Sequence, residues 1–528
     1  MTENETKQNS IAESYDTMPY ESHPFPDTSP NHLSSVAKLF GLQTVDTSKA
    51  RVLELGCASG GNIIPHAYKN PKSEYVGIDL SNVQIQAGQK KIDDLNLENI
   101  KLHHLSINDI NKDFGKFDYI IVHGVYSWVP KHVQKDILRI CSENLSAKGL
   151  AFISYNTYPG WKIKEVVRDA MILRGSSHTD PYKKLAHARG MVNFLHEMTA
   201  NNSIMRSLID SEIELIRNAA PHYLSHEFLE EFNQPCYFKD FVLNAEQYDL
   251  TYLAEAEPHT MFVSNLGQKV AAPLLQECGN SQIMLEQYMD FLKNRPFRQT
   301  ILTHKNRASK IKYRINTEGV KEFEYYGRFF AKDAIELDYI PLEFTTSRNV
   351  KLTVAQPIEK AALITIHEAY PRSINFRQVL EGAQKRIGSK LPLHSDTIAA
   401  LLEQMIIQGL VKFTLTGINA STIIDDKPLV EESVRYDAVN QVKTGTCNLW
   451  HESIHFDLIK QHLIPKLDGK HTIKDLLAHL VKLAKDDILT FSRNGMPLTT
   501  DEDIKQAADE HLTNALEFFR LNALLLNK

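Results

Sequence analysis

The stretch from Arg51 to Gly61, R-V-L-E-L-G-C-A-S-G-G, constrains this chain more than any other. Residues 51–55 read as a short buried strand that carries an acid, Glu54, near its end and runs into Gly56, Gly60 and Gly61. Asn62 to Tyr68 can then begin a helix. Bare backbone at a strand end lets a ligand approach closely, and the first turn of a helix offers N–H groups without partners in the helix. The next strand, Glu74 to Ile78, ends at Asp79, where a carboxylate can take both hydroxyls of a ribose. The spacing is G-x-x-x-G-G rather than the G-x-G-x-x-G of NAD binding, and no Gly-Lys-Ser/Thr follows as a P-loop requires. The competing reading is a strand-turn-helix that uses its glycines for packing alone.

Residues 51–155 alternate strand and helix. After Asp79 the pattern predicts a helix from Asn82 to Leu95, strands Ile100 to Leu105 and Phe117 to Val122, a helix from Lys131 to Asn144 and a strand from Leu150 to Tyr155. Such alternation implies an α/β, Rossmann-like parallel sheet whose ligands sit at the C-terminal strand ends. The fourth strand opens into H-G-V-Y-S-W-V-P (123–130) and the fifth into N-T-Y-P-G-W (156–161), so aromatic side chains gather at those ends. Upstream, Tyr15 to Leu42 holds four prolines before a helix at about Asn31 to Phe40; Tyr15, Tyr20 and Phe25 either pack on the sheet or form a lid. Residues 1–12 read as disordered.

The E-L-G-C-A-S-G-G loop followed by G-I-D-L resembles the class I S-adenosylmethionine (SAM) methyltransferases. The S-Y-N-T-Y-P-G-W stretch, the early Y-D-x-x-P-Y segment, and blocks at 223–229, 235–241, 252–256 and 294–300 are similar to a narrower bacterial group carrying a methyltransferase regulatory domain. That group includes the rickettsial outer-membrane-protein lysine methyltransferases. The resemblance implies SAM as cofactor and a cofactor set of Tyr15, Glu54, Gly56, Cys57, Gly60, Gly61, Asn62, Asp79, Leu80, His123 and Gly124. For the adenine contact it leaves Ser106 and Ile107 ahead of Asp109, which can equally be a cap. Tyr126, Trp128, Tyr155, Asn156 and Tyr158 become the catalytic set, able to surround an alkyl-ammonium and orient its lone pair. Tyr223, His226 and Glu227 are placed on the substrate, with a helix cap as the other reading of His226 and Glu227. A metal is not expected, because Glu230 stands where H-E-x-x-H would need histidine. Arg295 and Arg298, three apart, could bind a carboxylate from one helix face or form a structural ion pair.

A chain of 528 residues exceeds a single core, and five domains are read. These are an N-terminal lid segment and helix (1–45), the SAM-binding domain (46–165), a mostly helical regulatory middle (166–338), a winged-helix-like domain (339–430) and a C-terminal helical domain (431–528). The helix Asp396 to Gln408 of the winged unit carries no Lys or Arg, and the net charge is -6, so nucleic acid is not an expected partner. Five scattered cysteines without C-x-x-C suggest a reducing compartment, and no apolar run approaches a membrane span or a signal peptide. A cytoplasmic enzyme without stable membrane insertion is expected, acting on a protein that the resemblance suggests is an outer-membrane protein, with a homodimer as one option. The readings kept open beside protein-lysine methylation are a small-metabolite methyltransferase and a catalytically silent SAM-binding regulator. Because the cofactor motifs lie between Glu54 and Gly124, cofactor binding is expected to survive removal of everything beyond about residue 335.

Overall fold

The computed structural model describes residues 22–178, 180–230, 232–388, 394–440, 442, 445–493 and 495–527. Tyr15, Tyr20 and the segment 1–12 lie outside the described residues.

The expected alternation is present. Strands β1 (Arg51–Leu55), β2 (Glu74–Asp79), β3 (Ile100–His104), β4 (Phe117–Val122) and β5 (Leu145–Asn156) are parallel, with α1 (Pro30–Leu39) ahead of them. Helices α2 (Ile63–Lys69), α3 (Asn82–Asp94) and α4 (Lys131–Glu143) connect them. Buried strands need near-continuous apolar runs, and β1 and β4 supply them with Val52, Leu53, Leu55, Ile120, Ile121 and Val122, all inaccessible to solvent. Ser81 starts α3 by accepting the Gln84 N–H.

The sheet does not stop at β5. Two further strands, β6 (Leu250–Glu255) and β7 (Phe297–His304), complete the order β3-β2-β1-β4-β5-β7-β6, with β7 antiparallel to both neighbours. Both come from the segment read as mostly helical, so that reading is corrected: the regulatory middle supplies two of the seven strands. Arg298 accordingly lies on β7 rather than on a helix, 1% exposed. Its Nε and NH2 donate to both oxygens of Asp290 at 2.8 Å, and its NH1 donates to Glu255 at 2.8 Å and Glu286 at 3.0 Å. Arg295 donates to the other oxygen of Glu255 at 2.9 Å. This is the structural ion-pair alternative, not a carboxylate site.

Between β5 and β6 the chain leaves the sheet as a bundle, α5 (Gly160–Gly175), α6 (Pro181–Met198), α7 (Ile204–Asn218) and α8 (Pro221–Phe228). It has its own small core around Met171, Leu185, Val192, Ile213 and Phe228. Farther on, the strand Glu324–Tyr326 lies between Ile374–Asn375 and Lys412–Thr414, flanked by helices Pro357–Ala369, Phe376–Ile387 and His394–Gln408. Since 324–326 is the middle strand of that wing, the unit begins upstream of the boundary drawn at 339. Its Phe323, Leu363, Val379 and Leu402 belong to the same continuous core as the seven-stranded sheet. The helix at 394–408 turns Ile398, Leu402, Met405 and Ile406 into that core. The last unit, with helices Glu432–Val439, Leu458–Leu463, Ile473–Lys485 and Asp501–Leu521, builds a separate core on Leu463, Leu476, Leu480, Leu512 and Phe519. Among the described residues no helix is long and apolar enough to cross a membrane.

Candidate active site

A cavity of about 690 Å³ opens at the C-terminal ends of β1–β4, where the fold places ligands. Its inner end is made by the glycine loop. Gly56 has φ +77°, and a Cβ there would stand 2.5 Å from Val125; at Gly61 a Cβ would meet the Ser22 carbonyl oxygen at 2.3 Å. Glycine is therefore required at both places, at Gly61 by the N-terminal segment crossing over the loop. That segment is pinned by the Gly61 N–H donating to Ser22 Oγ at 2.8 Å, and it brings Ser22, His23 and Phe25 to the cavity wall. Phe25 packs against His123, just past the end of β4, with ring centroids 3.9 Å apart.

The acids at this end are held by the loop. Asp79, on the cavity wall, accepts the Ala58 N–H at 2.8 Å and the Ser81 N–H at 2.9 Å, with the Leu80 N–H as a further backbone donor. Burial nevertheless raises its pKa. Glu54 is 3% exposed; Asn62 Nδ2 donates to its Oε1 at 2.7 Å, while Oε2 is buried without a protein partner. Burial, opposed by the Asn62 hydrogen bond, pushes its pKa up to about 8. His123 Nδ1 is likewise buried without a partner, and burial lowers that imidazole to about 4. An orphaned carboxylate oxygen and an orphaned ring nitrogen on one wall mark a site shaped for a polar ligand. An amino acid joined to a nucleoside fits it: Glu54 suits an ammonium, and Asp79 suits vicinal hydroxyls.

Glu54, Gly56, Cys57, Asn62, Asp79, Leu80, Ser106, Ile107, His123 and Gly124 all line the cavity. Gly60 and Gly61 shape the loop without reaching the wall. Asp109 is not on the wall either: its Oδ2 accepts the Ser106 N–H at 3.1 Å in a capping box, so it acts as the cap rather than the adenine contact.

The outer end is aromatic and acidic. Trp128 and Asn156, from the β4 and β5 ends, meet Trp161 and Lys164 of α5 and Tyr223, His226 and Glu227 of α8. Trp128 and Trp161 stand edge to face, centroids 6.0 Å apart. His226 Nδ1 lies 2.6 Å from Glu230 Oε1. Burial raises the Glu227 pKa against the pull of Lys164, whose Nζ is 3.9 Å away.

Three of the expected catalytic aromatics lie elsewhere. Side chains alternate along a strand, so if Asn156 faces the cavity, Tyr155 faces away. Tyr155 stacks on Phe241 at 4.1 Å and shares a hydrogen bond with Thr300. Tyr126 fills the same core, edge-on to Phe241 at 5.3 Å. Tyr158 donates to Glu165 and packs against Tyr237, with Lys162 Nζ 4.0 Å from its ring. Sequence reasoning missed Ser81, Gln84, His132, Lys164, Glu230, Phe232 and Phe297 of the lining. Lys164 was within reach, since Trp161 and Lys164 are three apart on α5 and share a face.

Residues 53–151 match the family model of a methyltransferase domain, residues 220–304 that of a predicted methyltransferase regulatory domain, and residues 426–524 that of the PKMT C-terminal winged helix domain. An uncharacterized protein of Rickettsia prowazekii is 35% identical over 521 residues, spanning 97% of this chain and 93% of that protein. A shorter uncharacterized protein of the same organism is 39% identical over 235 residues, 44% of this chain and 94% of its own length. The solved structure of PKMT2 from Rickettsia typhi in complex with AdoHcy superposes with a TM-score of 0.87 at 32% identity, covering 96% of this chain and all of that one. The winged helix match at 426–524 falls on the unit read as a C-terminal helical domain. The chain belongs to the class I, SAM-dependent methyltransferases that carry a methyltransferase regulatory domain and a PKMT C-terminal winged helix domain.

Proposed function

We propose that this chain methylates a lysine side chain of a protein substrate. The observation that carries the reading is that one cavity joins the glycine-loop end, with Glu54 and Asp79, to an end walled by Trp128, Trp161, Tyr223 and Glu227. SAM supplies an electrophilic methyl group on its sulfonium when bound. The chain's own task is then to bring an amine to that end, orient it and exclude water. Faces of Trp128 and Trp161 suit an alkyl-ammonium stem, and the Glu227 carboxylate attracts its charge. Because burial raises Glu227, its oxygen is also a reasonable holder for the proton that the ammonium must lose. Asn156, whose Nδ2 donates to Asn233 Oδ1 at 3.1 Å and whose N–H donates to Ser127 Oγ at 2.8 Å, is braced to orient the neutral amine. Similarity to PKMT2 supports a protein substrate, and the resemblance to the outer-membrane-protein methyltransferases makes a cell-envelope protein the first to try.

The test is tandem mass spectrometry of purified outer-membrane proteins incubated with the full chain and methyl-labelled SAM. Label on lysine side chains is the expected result. Label on other residues only, or on a small metabolite and no protein, would overturn the lysine reading.

A further inference from the structure

The C-terminal winged unit approaches the cofactor end of the cavity with His455, whose ring lies 6.2 Å from that of His23 on the wall, and with His451. His451, 3% exposed and held at φ +62°, places Nε2 2.9 Å from Asn62 Oδ1. Asn62 heads α2 and is the residue whose Nδ2 holds Glu54 Oε1 at 2.7 Å. The other contacts of this amide come from the N-terminal segment. The Phe25 N–H donates to Oδ1 at 2.9 Å, and Nδ2 donates to Thr28 Oγ1 at 3.0 Å, whose own proton goes to the Phe25 carbonyl at 2.8 Å. A primary amide has two donors and one oxygen with two lone pairs, so all four positions are filled. Because Oδ1 can only accept, Nε2 of His451 carries the proton; its Nδ1 faces Cys447 Sγ at 3.4 Å. The ring is stacked 3.6 Å from that of His66 on α2, which fixes its direction.

We propose that His451 is a positioning residue for the cofactor: by donating to Asn62 it locks the amide that turns Glu54, leaving Glu54 Oε2 as the unpartnered oxygen at the cavity wall. The winged unit thereby completes the cofactor pocket, a role distinct from gripping substrate. A buried non-glycine residue in the left-handed region is held there by its surroundings, and such strain gathers at functional positions. The unit's seat on the sheet domain supports the arrangement, since Lys91 pairs with Asp437 at 2.6 Å and Tyr436 donates to Asp94 at 2.8 Å. A chain cut near residue 335 lacks this contact, so its cofactor affinity is expected to fall below that of the full chain. Such a cut would also remove the 344–411 part of the shared core.

The inference rests on this cavity being the cofactor site, and the full-length wild type tests that premise first. If wild type does not bind S-adenosylhomocysteine in titration calorimetry, the site reading falls; if it does, the variants decide on His451. His451→Phe keeps the stack on His66 and removes the donor, so its dissociation constant should rise about threefold to tenfold, the scale of one net hydrogen bond. His451→Gln, which can return a donor to the Nε2 position, should recover most of the affinity. In a double-mutant cycle with Glu54→Gln the His451 effect should shrink, because it acts through Glu54, whereas a general structural role predicts additive losses. Should His451→Phe fail to melt cooperatively, the same cycle is run with His451→Asn, whose shorter amide falls short of Asn62. Unchanged affinity in a folded variant lacking the donor, or additivity in the cycle, would overturn the proposal.

Discussion

The seven-stranded sheet carries a buried acid group at each of two places, one around Glu54 on β1 and one around Arg298 on β7, with β4 and β5 between them, and the two are built oppositely. Around Arg298, three carboxylates converge on one guanidinium and each oxygen finds a donor: Glu286 also accepts from Tyr252 at 2.9 Å, and Glu255 from Thr300 at 2.8 Å and the Gln299 N–H at 3.1 Å. Burial pushes against ionisation of all three: Glu286 and Asp290 stay above the ordinary carboxylate value despite Arg298, while Arg298 and Arg295 together bring Glu255 below it. In the cavity, Glu54 has one partnered oxygen and one orphan, and it is pushed up to about 8. The first group is complete and ties β6 and β7 to the helix Gln282–Lys293. The second is incomplete within the protein, as a ligand site is. Satisfaction of the polar atoms, more than burial or charge, separates a structural acid cluster from a binding one.

Removing the centre of the satisfied cluster should have the larger effect. Arg298→Met leaves Glu255, Glu286 and Asp290 buried around an apolar side chain, which costs about 3–5 kcal/mol when one partner of a buried ion network is deleted. Urea unfolding should show the loss as a lower midpoint or an unfolded chain. A wild-type midpoint would mean that the cluster carries no structural weight and the contrast is false.

Relieving the incomplete group should act the other way, and with pH. Below about 4.5, the ordinary value, Glu54 is protonated in both folded and unfolded chains. As pH rises toward 8 the unfolded chain loses that proton while the folded chain keeps it, so folded stability declines across this window and levels off above about 8. Glu54→Gln removes the decline. Without ligand it should melt a few degrees above wild type near pH 8, with the gap closing as pH falls toward 5. A gap independent of pH would remove Glu54 as its cause.

How much of this was legible in the sequence depended on the range of the interactions. β1 to β4 were readable almost to the residue, because β1 and β4 are apolar runs, β1 and β2 end at Gly56 and Asp79, and β3 keeps the in-out alternation of an edge strand. β6 and β7 were not. L-T-Y-L-A-E is short, and Arg298 after Pro296 looks polar until three acids from other segments surround it. The glycine-loop end of the cavity was legible because its motifs are local, from Glu54 to Gly124. At the outer end, Trp128, Asn156, Tyr223, His226 and Glu227 were found by resemblance and do line the cavity, whereas Tyr155 needed the parity of β5, and Tyr126, in the turn after β4, and Tyr158 find partners in distant segments, Phe241, Glu165 and Tyr237 among them. His451 stands 389 residues from Asn62 and carries no signal in its own neighbourhood.

The central claim is that one cavity has a cofactor end and an amine end that can be damaged separately. The most direct measurement is S-adenosylhomocysteine calorimetry on full-length Asp79→Ala and Glu227→Gln, run beside single-turnover methyl transfer to the labelled protein substrate. Asp79→Ala should lose affinity on the order of tenfold to a hundredfold, as removal of a charged hydrogen-bond acceptor does. Glu227→Gln should bind within about twofold of wild type and transfer at least about tenfold more slowly, the scale of one lost charged contact. Loss of cofactor affinity in Glu227→Gln, or undiminished affinity in Asp79→Ala, would contradict the account.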